Sequence, residues 1–246
     1  MVRKLLAWCA HAYTALGLVA VAAIAVAIYQ GEVLQAFLWM LVATVIDATD
    51  GALARAVKVQ EVLPNFDGRR LDDLIDFQTF TTLPLFLIWR AEGILPPEWK
   101  PWLLAPLVAS AYGFCQVSAK TDDGFFLGFP SYWNIIAFYL YLLQLPAWAN
   151  LSVLLFFALM TFVPARYLYP TQRGRLNRWT NWLGAVWAIL LAWILWRWYE
   201  SGPSDPMTHL LTLISLIFPI YYLLVSWGIS VRIAIRALRL RGKSLE

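Results

Sequence analysis

Long apolar segments alternate with short polar connections along nearly the whole chain. Most segments hold about 20 residues, the length that crosses the hydrocarbon core of a bilayer as an α-helix. Backbone groups inside a bilayer must satisfy their own hydrogen bonds, so helices are the expected structure. The pattern therefore predicts an all-α, polytopic membrane protein with about eight transmembrane helices, at residues 8–30, 33–57, 73–92, 101–119, 131–148, 150–169, 179–199 and 207–235.

Composition agrees with this interpretation. The chain is 61% hydrophobic and only 14% charged, whereas soluble domains are nearer half apolar and a quarter charged. Spans and short connections use nearly every residue, so we expect one membrane domain from residue 1 to residue 246. The net charge of +4 is small and lies at span ends, which indicates contact with membrane lipid and not with nucleic acid.

The basic residues favour one orientation. With eight spans, sixteen of the nineteen Lys and Arg residues fall on the side that holds both termini. Only Arg90, Lys100 and Arg197 fall on the other side. Because cytoplasmic connections carry an excess of Lys and Arg, both termini are predicted to be cytoplasmic.

Two groups of aspartates stand out against the apolar background, where ionisable residues usually mark function. The first group has the helical spacing i, i+3, i+4, i+7 and i+8, and the second has the spacing i, i+4 and i+8, so each forms one stripe of a helix. The stripes consist of Asp47, Asp50, Gly51, Ala54 and Arg55, and of Gly68, Asp72 and Asp76. If the two helix ends meet, four carboxylates face one another.

Four neighbouring carboxylates repel unless a cation lies among them. Arg55, Arg69 and Arg70 could supply the positive charge and make a structural salt-bridge cluster. Hard divalent cations fit better, since oxygen ligands select magnesium, manganese or calcium. The small residues Gly51, Ala54 and Gly68 fit a substrate that lies against the helix backbone, or simply close helix packing.

The whole pattern resembles the signature of the CDP-alcohol phosphotransferases, D-x-x-D-G-x-x-A-R followed by a spacer and G-x-x-x-D-x-x-x-D. All eight signature positions match, from Asp47 to Asp76, across a spacer of twelve residues that is longer than in most of the family. The longer spacer and the eight spans resemble the bacterial phosphatidylcholine synthase branch. Segments 11–17 and 126–134 resemble that branch too, although His11 stands where much of the family has Asn.

The resemblance implies an enzyme that transfers the phosphatidyl group of CDP-diacylglycerol to choline and releases CMP. It implies two divalent ions, Mn or Mg, surrounded by Asp47, Asp50, Asp72 and Asp76, with Asp76 also taking the proton of the acceptor hydroxyl. It implies a CDP pocket formed by Thr14, Asp50, Gly51, Ala54, Arg55 and Gly68. It further implies a homodimer in the bacterial inner membrane, with the active site toward the cytoplasm.

Other residues give weaker signals. Lys120 and Arg166 could each bind a lipid phosphate, or simply follow the positive-inside pattern. Tyr132 and Trp133 could contact choline, because a quaternary ammonium is recognised by aromatic faces. A lone histidine in an apolar helix, such as His11, is more often a hydrogen-bonded packing residue than a ligand.

Two alternatives to choline transfer stay open. The same chemistry could use serine, inositol or glycerol phosphate as the acceptor. A different class of protein, a cation transporter, could also carry clustered carboxylates. Carriers usually hold their ions near the middle of the bilayer, whereas the cluster from Asp47 to Asp76 is predicted to lie toward one surface.

Overall fold

The computed structural model describes residues 1–117, 121, 125–168 and 175–243, and most of them are helical, as the apolar pattern predicts. The helices are α1 (Val2–Gln30), α2 (Val33–Ala56), α3 (Val59–Val62), α4 (Gly68–Asp76), α5 (Leu83–Arg90), α6 (Leu104–Cys115), α7 (Trp133–Leu143), α8 (Ala147–Met160), α9 (Arg175–Ser201), α10 (Pro206–Ser215) and α11 (Ile217–Lys243). A π-helical turn, Phe77–Thr82, joins α4 to α5, and a 3-10 helix, Pro97–Leu103, precedes α6. Strands β1 (Phe125–Leu127) and β2 (Arg166–Leu168) pair antiparallel.

Several of these helices are suited to a lipid environment. Among the described residues, Val2–Gln30, Val33–Ala56, Asn177–Ser201 and Pro206–Arg236 are long and apolar enough to cross a membrane. Large apolar side chains on their surfaces are exposed, including Leu18, Val45, Ile189 and Leu224. The chain is thus an all-α membrane protein, with one short hairpin among its described residues. Helices α7 and α8 are apolar but shorter, at 11 and 14 residues.

Several of the predicted spans differ from the structure in their boundaries. The span predicted at 131–148 contains α7, which ends at Leu143, and also the start of α8 at Ala147. The span predicted at 150–169 is wrong in its last part, because α8 ends at Met160 and the chain then forms β2. Pro164 lies in this connection, and proline cannot continue a helix that precedes it. The span predicted at 207–235 agrees with the apolar helical segment Pro206–Arg236, although the helical hydrogen bonding changes at Leu216, between α10 and α11. Pro219, in the first turn of α11, cannot donate a backbone hydrogen bond there.

The contacts divide the chain into two compact units, and the first contains Met1–Leu107 and Tyr132–Leu151. Helix α1 packs along α2 and α4. A Cβ on Gly17 would lie 2.6 Å from Ile75 Cγ2, so α1 and α4 approach closely only because this position is glycine. Helix α7 packs on α5, on the π-helical turn and on α2.

The second unit contains Val108–Ser131 and Ser152–Glu246. Its hairpin would leave backbone groups of β2 unpaired on the edge away from β1. Tyr167 and Leu168 of β2 are buried, and unpaired backbone groups are costly when buried. Side chains of α11 satisfy them. Ser230 Oγ accepts from Arg166 N at 2.7 Å and lies 3.2 Å from Arg166 O. Ser226 Oγ accepts from Leu168 N at 3.3 Å, and Tyr222 Oη donates to Leu168 O at 2.9 Å.

Candidate active site

The carboxyl-terminal part of α2 and the short helix α4 bring three carboxylates together. One oxygen from each of Asp47, Asp50 and Asp72 lies within 4.8 Å of the other two. Asp50 is buried, with 6% of its surface exposed, and the other two are half-buried. The two stripes therefore meet for these three residues, as their helical spacing predicts.

Asp76 lies outside this group of three. It is one turn beyond Asp72 and is the last residue of α4, where the helix becomes π-helical. Its half-buried carboxylate nevertheless interacts electrostatically with the carboxylates of Asp47, Asp72 and Asp50. Short π-helical segments often occur at functional sites. The structure thus separates one aspartate from the three that converge.

Negative charge is disfavoured at Asp72 within this group of carboxylates. Asp72 lies just before the span predicted at 73–92. Burial, together with the neighbouring Asp50 and Asp47, raises the pKa of Asp72 to about 7. A divalent cation would remove this repulsion. The donor set consists of carboxylate oxygens, which suits Mg²⁺ or Mn²⁺ better than the nitrogen- and sulfur-rich sites typical of zinc. The three residues fit the metal implied by the sequence pattern.

The residues predicted for the CDP pocket lie on α2 and α4, except Thr14, which lies on α1. A Cβ on Gly51 would lie 3.3 Å from Nη1 of Arg55, so the exposed guanidinium of Arg55 covers Gly51. Ala54 packs against the buried cluster of Ala7, Ala10 and Val59. Helix packing is therefore one role of Ala54.

Thr14 and Gly68 lie on facing helices of the same unit. Thr14 is buried, and its hydroxyl donates to Ala10 O over 3.5 Å. The imidazole of His11 occupies the place that a Cβ of Gly68 would take, with Nδ1 2.8 Å from that position. His11 also contacts the ring of Phe66 at a centroid distance of 4.4 Å. Its Nε2 atom is buried and has no hydrogen-bond partner in the described part of the chain, so the expectation of a hydrogen-bonded histidine is wrong for this atom.

The start of α7 lies beside α2, the helix that carries Asp47 and Asp50. Asn134 Nδ2 donates to Thr44 Oγ1 at 3.4 Å, one turn before Asp47 on α2. Tyr132, which precedes α7, is half-buried, whereas Trp133 is fully buried. The sequence prediction did not include Asn134, although a lone amide in an apolar span was a signal for it.

The two residues predicted to bind lipid phosphate have different outcomes. Lys120 lies outside the described residues. Arg166 begins β2 in the second unit, and its guanidinium lies over the ring of Phe125, 5.7 Å from the centroid. This cation–π contact holds the side chain at the hairpin.

The fold and the site define a class: a helical membrane protein in which two helices bring together three carboxylates that could hold a metal ion. No family model matches the chain. The phosphatidylcholine synthase of Legionella bozemanae is 42% identical over 148 residues, which are 60% of this chain and 68% of that protein. The one of Pseudomonas aeruginosa is 38% identical over 172 residues, 69% of this chain and 71% of that protein. The one of Borreliella burgdorferi is 30% identical over 72% of this chain and 76% of that protein. The chain belongs to the phosphatidylcholine synthase family.

Proposed function

We propose that this protein is a phosphatidylcholine synthase, which transfers the phosphatidyl group of CDP-diacylglycerol to choline and releases CMP. The observation that carries the proposal is the convergence of Asp47, Asp50 and Asp72, in a chain 42% and 38% identical to proteins of that name. The proposal places the enzyme in a bacterial inner membrane as a homodimer, with the aspartates toward the cytoplasm.

The three converging carboxylates would hold the divalent metal, with Asp76 beside them as the fourth acidic residue. When bound, two such ions would supply positive charge that stabilises the pyrophosphate and the leaving CMP. Arg55, above Gly51, offers an exposed guanidinium, which pairs well with a phosphate. These residues would bind and orient the CDP end of the lipid.

In this proposal Asp76 accepts the proton of the acceptor hydroxyl. The hydroxyl of choline loses its proton to the Asp76 carboxylate as its oxygen forms a bond to the phosphorus of the phosphatidyl group. The bond between that phosphorus and the oxygen of CMP breaks, and CMP leaves. Because Asp76 is outside the group of three, its carboxylate can act on the acceptor while the others bind metal.

The choline contact is proposed at the start of α7. Helix α7 packs on the π-helical turn after Asp76 and is tied to α2 through Asn134. Tyr132 keeps exposed surface there, whereas Trp133 is fully buried. Tyr132 is therefore the first candidate for a cation–π contact with the quaternary ammonium, with Trp133 as the second. Lys120 and Arg166 remain candidates for a lipid phosphate.

The test is release of CMP from CDP-diacylglycerol by the purified protein. Choline, serine, inositol and glycerol phosphate are supplied in turn, with magnesium or manganese. We expect release with choline, loss of activity in excess chelator, and recovery with Mg²⁺ or Mn²⁺ but poorly with Zn²⁺. Release of CMP with another acceptor, and not with choline, would assign that acceptor as the substrate. No release with any acceptor, together with metal-ion uptake by vesicles containing the protein, would favour the transporter.

A further inference from the structure

Two adjoining cavities lie in the first unit, at the end away from the aspartates. They have volumes of about 240 Å³ and 280 Å³ and share Glu92 and Tyr141 in their walls. Val33, at the start of α2, lines the first cavity. It precedes Asp47 by 14 residues on the same helix, a separation of about 21 Å at 1.5 Å per residue. The cavities therefore belong to a different part of the unit from the carboxylate site.

Three polar side chains at these cavities have no partner within the described ranges. Arg90 and Glu92 both line the first cavity and are exposed. Neither side chain makes a hydrogen bond or an ion pair within the described ranges, and the same holds for Gln144 in the second cavity. Arg90 and Glu92 carry opposite charges at the mouth of one cavity. Here each is available to a ligand that carries both charges.

The other walls are apolar, and they lie where helices end. Ile28 and Leu87 line the first cavity, and Leu140 lines the second. Trp89 and Trp102 are exposed in the neighbouring segments, and exposed tryptophans at span ends mark the boundary between hydrocarbon and water. A ligand at this boundary with both charges and an apolar portion is a zwitterionic phospholipid.

We propose that the two cavities together bind the headgroup of a zwitterionic phospholipid from the leaflet opposite the aspartates. The phosphate pairs with the Arg90 guanidinium, which suits phosphate oxygens. The ammonium group lies against the Glu92 carboxylate and the Tyr141 ring, an arrangement that recognises alkylammonium ions. The combined volume is within the range of about 300–1,000 Å³ found for ligand sites.

The experiment measures binding of dihexanoyl phosphatidylcholine to delipidated protein in detergent, by native mass spectrometry. Arg90→Gln and Glu92→Gln each remove one charge. Glu98→Gln and Lys100→Gln are matched controls, since these charged residues follow closely in the chain and do not line either cavity. We expect about tenfold weaker binding in each cavity variant, the equivalent of about 1.4 kcal/mol, and no change in the controls.

Two further probes identify the source of the zwitterion. Dihexanoyl phosphatidylglycerol has no ammonium group. Compared with the wild type, its binding should be weaker in Arg90→Gln and should not be weakened in Glu92→Gln. Glycerophosphocholine, which has the charges without acyl chains, should bind much more weakly than the lipid. Equal binding of glycerophosphocholine, or cavity variants that bind like the controls, would overturn the proposal. CMP release is measured on the same variants, and because neither residue is near the aspartates it should be unchanged.

Discussion

Gly68 and Ala54 are signature positions whose neighbours in this structure are side chains of the protein itself. The ring of His11 fills the space beside Gly68, and Ala54 packs on the buried cluster that contains Ala7. These contacts give the small residues a packing role in addition to any contact with nucleotide. The sequence could not distinguish the two roles, because both require a small side chain.

Gly68→Ala should therefore destabilise the protein through a clash with His11. Overpacking of this kind costs about 1–3 kcal/mol, and it should appear as a lower midpoint of thermal unfolding in detergent. The double variant with His11→Ala should recover most of the loss, because it empties the space. Gly228→Ala is the control, since nothing lies within 4 Å of its Cβ position. A Gly68→Ala variant as stable as the wild type would show that His11 moves freely.

Asp76 and Asp47 should respond differently to the same nearly isosteric change. Asp76→Asn removes the proposed base and should lower turnover by roughly 10²–10⁴, the usual effect of a positioned general base. It should largely keep the affinity for CDP-diacylglycerol. Asp47→Asn, which alters the converging group, should weaken metal-dependent binding of the lipid as well as turnover. Equal loss of binding in both variants would make Asp76 a metal ligand instead.

The converging carboxylates were predictable from sequence and the position of Asp76 was not. Helical spacing alone places Asp47 and Asp50 on one stripe, and Asp72 and Asp76 on another. Which of the four come within 4.8 Å depends on how α2 and α4 cross, and on the π-helical turn that begins after Asp76. No residue type specifies such a turn, because its extra residue is set by packing.

At the scale of elements, the hairpin is held by one stripe of α11. Ser230→Ala would leave the half-buried Arg166 N without its partner at 2.7 Å, and loss of such a hydrogen bond costs about 0.5–1.5 kcal/mol. Ser226→Ala loses a longer bond, 3.3 Å from Leu168 N, and should cost less. Ser204→Ala, at an exposed position in the connection before α10, should be neutral. The free energy of unfolding of each variant is measured in detergent. If all three variants are equally stable, the stripe of α11 has no structural role in holding the hairpin.

The hairpin is also the element that sequence analysis missed. Each strand has three residues, too few for the alternation of apolar and polar positions that reveals a strand. The apolar residues of the hairpin extend the neighbouring apolar runs, so the sequence pattern predicts one span at 150–169. The long helices were predictable, because an uninterrupted apolar run of their length has few alternatives in a bilayer.

At the scale of the whole molecule, orientation is the main prediction that composition supports. The connection between α9 and α10 should face the periplasm, because it lies on the side with few basic residues. A single cysteine in place of Ser204 should react with an impermeant reagent on intact cells. Cys9 and Cys115 are removed first, because both are exposed.

Val2→Cys in the same background is the matched control, at an exposed position beside the amino terminus. It should react only after the membrane is permeabilised. If Val2→Cys reacted on intact cells and the cysteine at position 204 did not, the predicted orientation would be wrong. The aspartates would then face away from the cytoplasm.

The π-helical turn between α4 and α5 has a consequence for insertions and deletions. The chain from Gly68 to Arg90 is helical throughout, and one residue more or less turns everything on one side of the change by about 100° relative to the other. Removing a single residue from Phe77–Thr82 would keep the segment helical and rotate Asp72 and Asp76 against the side chains of α5. The length of this segment therefore helps to set the direction in which the aspartates point relative to α5.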